Sequence, residues 1–344
     1  MKTIAHARQR FGAGAWKTCR MGLAVMLAII AQAAWLPASE AAAAPAFPVR
    51  PVRFVVPFPP GTSTDVVVRL LSQRLAESLG QQLVIDNRAG ASGTIGVEIV
   101  ARATPNGYTW VLGTTSTHAL ALTLNPGLGY HPVKDFAPIS LLGEAPYFVT
   151  THTGIPAANV PEFVAYARAN PGKVHYASVG NASLGHLAGE LLKKAAGFDM
   201  VHVPYKGSTL AIVDLLAGRI QLQITTVPAS LPHVRAGKLR ALAVTSRERL
   251  SALPQILTVA ESGLPGYHAA LWMAVFAPAR TSESVIRLVD SRIAAIMNAP
   301  QMRESLNEQG FESRPQGPES VSKLVREDTA RWRKVILDAG IRAD

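Results

Sequence analysis

The stretch Phe54-Val-Val-Pro-Phe-Pro-Pro-Gly-Thr-Ser-Thr-Asp65 has the residue types and order to hold an anion. It reads as a short buried strand that stops at prolines, turns on Gly61 and opens a helix at Ser63 or Thr64. A helix start leaves backbone N–H groups unpaired and carries a partial positive charge, and hydroxyls beside it add donors. Tyr176-Ala-Ser-Val-Gly-Asn-Ala-Ser-Leu-Gly-His186 repeats the design, with its helix beginning at Ser183. Two such loops facing each other would grip a carboxylate from both sides without a fixed cation. Either loop alone has an ordinary explanation, because Ser and Thr cap helices generally. Their recurrence at equivalent places in two α/β units favours a binding role. Gly113-Thr-Thr-Ser-Thr-His118 is a third candidate, since it follows a strand on the ligand side of an open sheet. In His202-Val-Pro-Tyr-Lys-Gly-Ser208, Lys206 beside Gly and Ser suggests a phosphate loop, but the order G-x-x-x-x-G-K-[ST] is absent. Tyr205 is the better cleft-lining residue there.

Catalytic readings fare poorly. No G-x-S-x-G nucleophile elbow occurs: Gly61-Thr-Ser63 continues with Thr-Asp, and Ser183 lacks a glycine two positions earlier. H-E-x-x-H is absent, and no His pair has zinc spacing with a nearby acid. His118, His175, His186 and His202 stand apart from one another and read as packing or hydrogen-bonding residues. No dinucleotide fingerprint occurs, so no enzyme activity, metal or cofactor is expected.

The elements that must position these loops alternate along the chain. Arg53 to Val56 is a strand, and Thr64 to Leu79 a helix with an apolar stripe closed by Gly80. A strand at Gln82 to Ile85, a helix from Gly90 to about Ala103 and a strand at Tyr108 to Leu112 complete a β-α-β-α-β unit. Phe136 to Glu144 and Tyr147 to Thr151 are two further strands. A second unit has strands at Val174 to Ala177, Met200 to Tyr205, Ile220 to Thr225 and Leu239 to Thr245, with helices at Glu162 to Ala169, Ser183 to Ala196 and Thr209 to Ala217. The tail adds a strand at Leu271 to Phe276 and helices near 284–298, 302–309 and 319–339. The predicted fold is α/β, with doubly wound, mostly parallel sheets in two lobes around a cleft. Lobe 1 is expected to be discontinuous, at 47–151 and 251–344, with lobe 2 at 152–250.

Residues 1–44 read as a signal peptide. Lys2, Arg8, Arg10, Lys17 and Arg20 form a basic start, Met21 to Ala34 is an apolar run, and small residues follow. An uncleaved anchor is the alternative, disfavoured because the run is short and alanine-rich. Cys19, the sole cysteine, precedes the apolar run, so the mature chain has no thiol. An exported chain without disulfides fits a bacterial periplasm. Net charge is +11; residues 1–44 supply five basic and one acidic side chain, leaving +7 for the mature chain. Those charges are scattered, which speaks against nucleic acid and is compatible with attracting small anions.

The motifs together resemble the substrate-binding proteins of tripartite tricarboxylate transporters, the Bug family. The resemblance begins at the Phe54–Asp65 stretch and continues through Asp86-Asn-Arg-Ala-Gly-Ala-Ser-Gly-Thr-Ile-Gly96, Pro105-Asn-Gly-Tyr108 and Pro132-Val-Lys-Asp-Phe-Ala-Pro138. It runs on through Tyr176-Ala-Ser178, the His202–Ser208 string, Ala236–Thr245 and Glu261-Ser-Gly-Leu-Pro-Gly266. It implies a type II-like periplasmic binding protein, a monomer, that closes on a small organic carboxylate. The ligand would pass to a permease of large and small integral membrane subunits. Carried over by motif, ligand-facing positions are Thr62, Ser63, Thr64 and Asp65, then Thr114 and Ser116. In the second lobe they are Ser178, Asn181, Ala182, Ser183, His186 and Tyr205. Asp65 is expected to order its loop, since it would repel an anion.

Three positions depart from the family pattern. Thr62 and Ala182 stand where glycines are common, and Thr225 stands where an Asp is frequent. Thr225 cannot pair with an ammonium, so a plain mono- or dicarboxylate is expected rather than an amino acid. Two alternatives share the cleft: a sensing protein that presents its closed lobes to a histidine kinase, and a secreted α/β hydrolase or isomerase.

Overall fold

The computed structural model describes residues 47–342; the signal-peptide reading of 1–44 lies outside them. From Arg50 onward the chain is one compact unit. Its backbone is a ten-stranded mixed sheet in the order β2-β1-β3-β9-β4-β7-β5-β6, with β8 and β10 also paired to β4. The strands are β1 (Val52–Val56), β2 (Leu83–Asn87), β3 (Thr109–Thr114), β4 (Phe136–His152), β5 (His175–Ser178), β6 (Val201–Pro204), β7 (Leu222–Thr226), β8 (Leu239–Val244), β9 (Ala270–Pro278) and β10 (Glu312–Gln316).

The parallel pairings lie at the two flanks, β2-β1-β3 on one and β7-β5-β6 on the other. Around β4 every pairing is antiparallel. The sequence suggests a break near Ala145-Pro146, yet β4 is one strand of 17 residues. Pro146 fits because it falls between two ladders, the β10 pairing that ends at Glu144 and the β7 pairing that begins at Tyr147, so neither calls on its missing N–H. The first half of β4 pairs with β9 and β10, and its last residues with β7 and β8.

Helix α1 (Ser63–Leu79) forms because Val67, Val68, Leu71 and Leu75 fall on one face and are fully buried, and Gly80 ends it at φ 67°. Following it are α2 (Thr94–Ala101), α3 (Ala121–Leu124), α4 (Val160–Ala169), α5 (Leu184–Ala196), α6 (Ser208–Leu216), α7 (Val227–Arg235), α8 (Glu283–Asn298), α9 (Pro300–Glu308) and α10 (Pro318–Asp338). Three of these elements escape the sequence reading: the single turn of α3, α7 and β10. Strand β10 is short, polar and proline-bearing, and α7 carries Pro228 and Pro232. One apolar cluster joins Val55 and Val111 of the first flank, Val149 of β4, Tyr176 and Leu187 of the second flank, and Trp332 of α10. The core is thus continuous beneath both flanks.

Candidate functional site

The loop after β1 is organised by Asp65. Its carboxylate, 1 % exposed, accepts from the Gly61 amide at 2.9 Å, Arg69 Nε at 2.8 Å and Asn87 Nδ2 at 2.9 Å. Burial pushes the Asp65 carboxyl up, but the hydrogen bonds from Arg69, Gly61 and Asn87 outweigh it and hold the group below its ordinary range. Its lone pairs are therefore committed to the loop. Thr62 is the N-cap residue, in extended conformation at φ −72°, but its side chain does not cap the helix. Thr62 Oγ1 instead donates to the Pro59 carbonyl at 2.8 Å and lies 2.9 Å from Thr64 Oγ1. The first-turn N–H groups of α1 thus lack a side-chain acceptor, and Ser63 is exposed beside them.

Two further segments pack on this loop. Gly90, Ala91, Ser92 and Gly93 all have positive φ. A Cβ on Gly93 would lie 2.9 Å from Thr117 Cγ2 and 3.2 Å from Phe58 Cζ. That places the Phe58 loop, residues 90–93 and the turn after β3 in one cluster. The turn after β3 is a π-helical turn, Thr115–Leu120, closed by reciprocal Thr114–Thr117 hydrogen bonds. Thr115 Oγ1 donates to the Ala270 carbonyl at 3.2 Å and accepts from the Trp272 amide at 3.1 Å, which ties the turn to the start of β9. Thr114 is fully buried and Ser116 half-buried. His118 stacks on Phe276 with centroids 4.1 Å apart, and burial lowers its pKa to about 3. It is a neutral packing residue.

The loop after β5 is a hydroxyl–imidazole network. Ser183 Oγ donates to Ser178 Oγ at 3.2 Å and accepts from the His186 amide at 3.3 Å, as the cap of α5. Ser178 Oγ also lies 2.7 Å from His202 Nε2 and 2.8 Å from the Gly180 carbonyl. His186 accepts from the Ala182 amide at 3.1 Å and stacks on His202 at 3.7 Å. Burial, then the neighbouring His186 and Lys193, lower His202 to about 4. Ala182 sits at φ 54°, left-handed, whereas Thr62 does not. The two departures from glycine are therefore physically different.

The remaining candidates point elsewhere or line the strand. Asn181 Nδ2 donates to the Arg342 carbonyl at 3.1 Å. Tyr205 OH donates to Asp214 Oδ2 at 2.7 Å, while its amide donates to the Ser178 carbonyl at 3.0 Å. Thr225 is buried in β7 opposite Phe148.

The register of β4 brings these loops toward its middle from opposite ends. Thr114, at the end of β3, lies opposite Met273, which lies opposite Gly143. Thr226, at the end of β7, lies opposite Tyr147. Gly143 and Tyr147 are four residues apart along β4, roughly 13 Å at the usual rise. The Tyr147 ring reaches the second loop: a Cβ on Gly185 would lie 3.6 Å from Tyr147 Cε2 and 3.4 Å from Ser178 Cβ. Sequence reasoning missed Tyr147, His202 and the 90–93 segment as parts of this region. The run Gly90-Ala-Ser-Gly93 carried a turn signal, but nothing local marked Tyr147.

The model of the tripartite tricarboxylate transporter family receptor matches residues 67–341. Protein BugT of Bordetella pertussis is 36% identical over 297 residues, covering 86% of this chain and 91% of that protein. The structure of R. palustris Rpa4515 with adipate is 38% identical with a TM-score of 0.73, covering 86% of this chain and 99% of that one. MatC (Rpa3494) from Rhodopseudomonas palustris with bound malate is 33% identical with a TM-score of 0.68, covering 84% and 100%.

Proposed function

The chain belongs to the tripartite tricarboxylate transporter family of receptors, which bind substrate rather than transform it, and we propose that it captures a small carboxylate and hands it to a transporter. The observation that carries this reading is the convergence of three Ser/Thr-rich strand-end loops on the centre of β4. None of 57–65, 114–118 or 178–186 contains Lys or Arg. A carboxylate would be held by the open N–H groups of α1, by Ser63, Ser116 and Ser183 hydroxyls and by bridging water. The adipate and malate bound to two relatives support a plain mono- or dicarboxylate, as does Thr225, which offers no charge to an ammonium.

In this reading residues 47–151 with 251–344, and 152–250, act as two lobes that close on the ligand, because a ligand touching both favours the closed state. The family is periplasmic; residues 1–44 would serve as the export signal, and the mature monomer would deliver to large and small integral permease subunits. Titration calorimetry over C4 to C6 dicarboxylates tests the site. Ser183→Ala and Ser178→Ala should each weaken the best ligand by roughly tenfold or more, the scale of one hydrogen bond to a charged group. Unchanged affinity in both variants would move the site elsewhere.

A further inference from the structure

A cavity of about 320 Å³ lies against the middle of β4, and none of the cleft residues lines it. Its wall includes Arg247, Arg314 and Lys323 with Glu144, His268 and the Trp272 side of β9. The chain segments come from different parts of the fold. Arg247 follows β8, Arg314 is in β10, and Lys323 is on α10.

The polar groups of this wall are unequally satisfied. Arg314 pairs with Glu248 at 2.8 Å, and Lys323 stands 3.8 Å from Glu327. Arg247 is exposed and makes no ion pair among the described residues. His268 is only 4 % exposed; its Nε2 lies 3.0 Å from Glu144 Oε2, and its Nδ1 is buried with no hydrogen-bond partner among the described residues. An occupant that supplies negative oxygens would be held by Arg247, Arg314 and Lys323, which outnumber the carboxylates Glu144 and Glu327 that also line the cavity.

We propose that this cavity is a second binding site, for a small oxyanion such as inorganic phosphate or a short carboxylate. Such an occupant would rest on Arg247 from one side of β4 and on Arg314 and Lys323 from the other. It would thereby brace the strand that links the two flanks.

The test is titration of the mature protein with inorganic phosphate, followed by the ¹⁵N resonance of the Trp272 indole, assigned with Trp272→Phe. A saturable shift is expected. It should weaken tenfold or more in the double variant Arg247→Ala, Lys323→Ala, whose positions are exposed and leave the fold intact. Ser183→Ala, which alters the cleft and not this cavity, should keep the full response. Glycolate in a parallel titration identifies the source: the tighter of the two probes names the class of natural occupant. No saturable shift with either probe, a shift unaffected by the double variant, or one abolished by Ser183→Ala overturns the proposal. The last outcome would leave the carboxylate cleft standing.

Discussion

Ala182 and Thr62 both stand in the candidate binding loops at positions where the resemblance leads one to expect glycine, but only Ala182 bears a conformational cost. At φ 54° its Cβ crowds the following carbonyl, a penalty of roughly 1–2 kcal/mol for an L-residue. Ala182→Gly should therefore stabilise the protein by about 1 kcal/mol in urea denaturation, after the added entropy of an unfolded glycine is subtracted. Thr62→Gly relieves nothing, since Thr62 is extended, and it loses the bond to Pro59. The sequence displays both replacements equally; only the backbone angle separates them. The histidines act at the same scale. Burial lowers His118 to about 3 and, with its neighbours His186 and Lys193, His202 to about 4, against an ordinary 6.5. Below 6.5 the unfolded chain takes up protons that the folded one refuses. Stability should fall as pH drops from about 6.5 to about 3. In urea midpoints measured across that range, His202→Gln should flatten the slope between 6.5 and 4; an unchanged slope would mean His202 protonates freely in the native state.

The elements with strong local signals were legible, and those governed by distant partners were not. Helix α1 announces itself through Val67, Leu71 and Leu75 and its closing Gly80. Strand β10 is polar and carries Pro315, and it exists because β4 offers an unpaired edge at Leu141, Gly143 and Glu144. The joining of two expected strands into β4 likewise depends on β9 and β7 holding successive stretches of it. Of the candidate site, the hydroxyl-bearing loops could be read from strand and cap patterns, while Tyr147 and His202 enter only through packing. Gly143 is the point where this element is most exposed to test. At φ 148°, a Cβ there would lie 2.0 Å from the Glu312 carbonyl oxygen. Gly143→Ala should part β10 from β4 and cost roughly 2–4 kcal/mol of stability in urea denaturation. A loss below about 0.5 kcal/mol, the range of ordinary surface changes, would show that β10 can shift away freely.

At the scale of the molecule, the α/β alternation and the family resemblance were both present in the sequence, but the antiparallel centre was not. Parallel flanks follow from helices between strands. The direction of β4 and β9 is set by long-range pairing that no local pattern encodes. Because the core runs beneath both flanks and β4 links them, pairing directly with β7 and through β9 with β3, the mature chain should unfold in a single step. Far-ultraviolet circular dichroism and tryptophan fluorescence should give superimposable urea transitions; separated midpoints would reveal two independent folding units.

The shared strand also bears on how such a receptor can diversify. A protein whose halves meet only through loops can exchange one half with a cousin and keep both folds. Here β4 and its partner β9 tie the two flanks into one sheet, so a swapped half would arrive with its neighbour's ladder out of register. Variation in what is recognised is therefore expected in the strand-end loops that carry Thr62 and Ala182, with the shared spine kept whole.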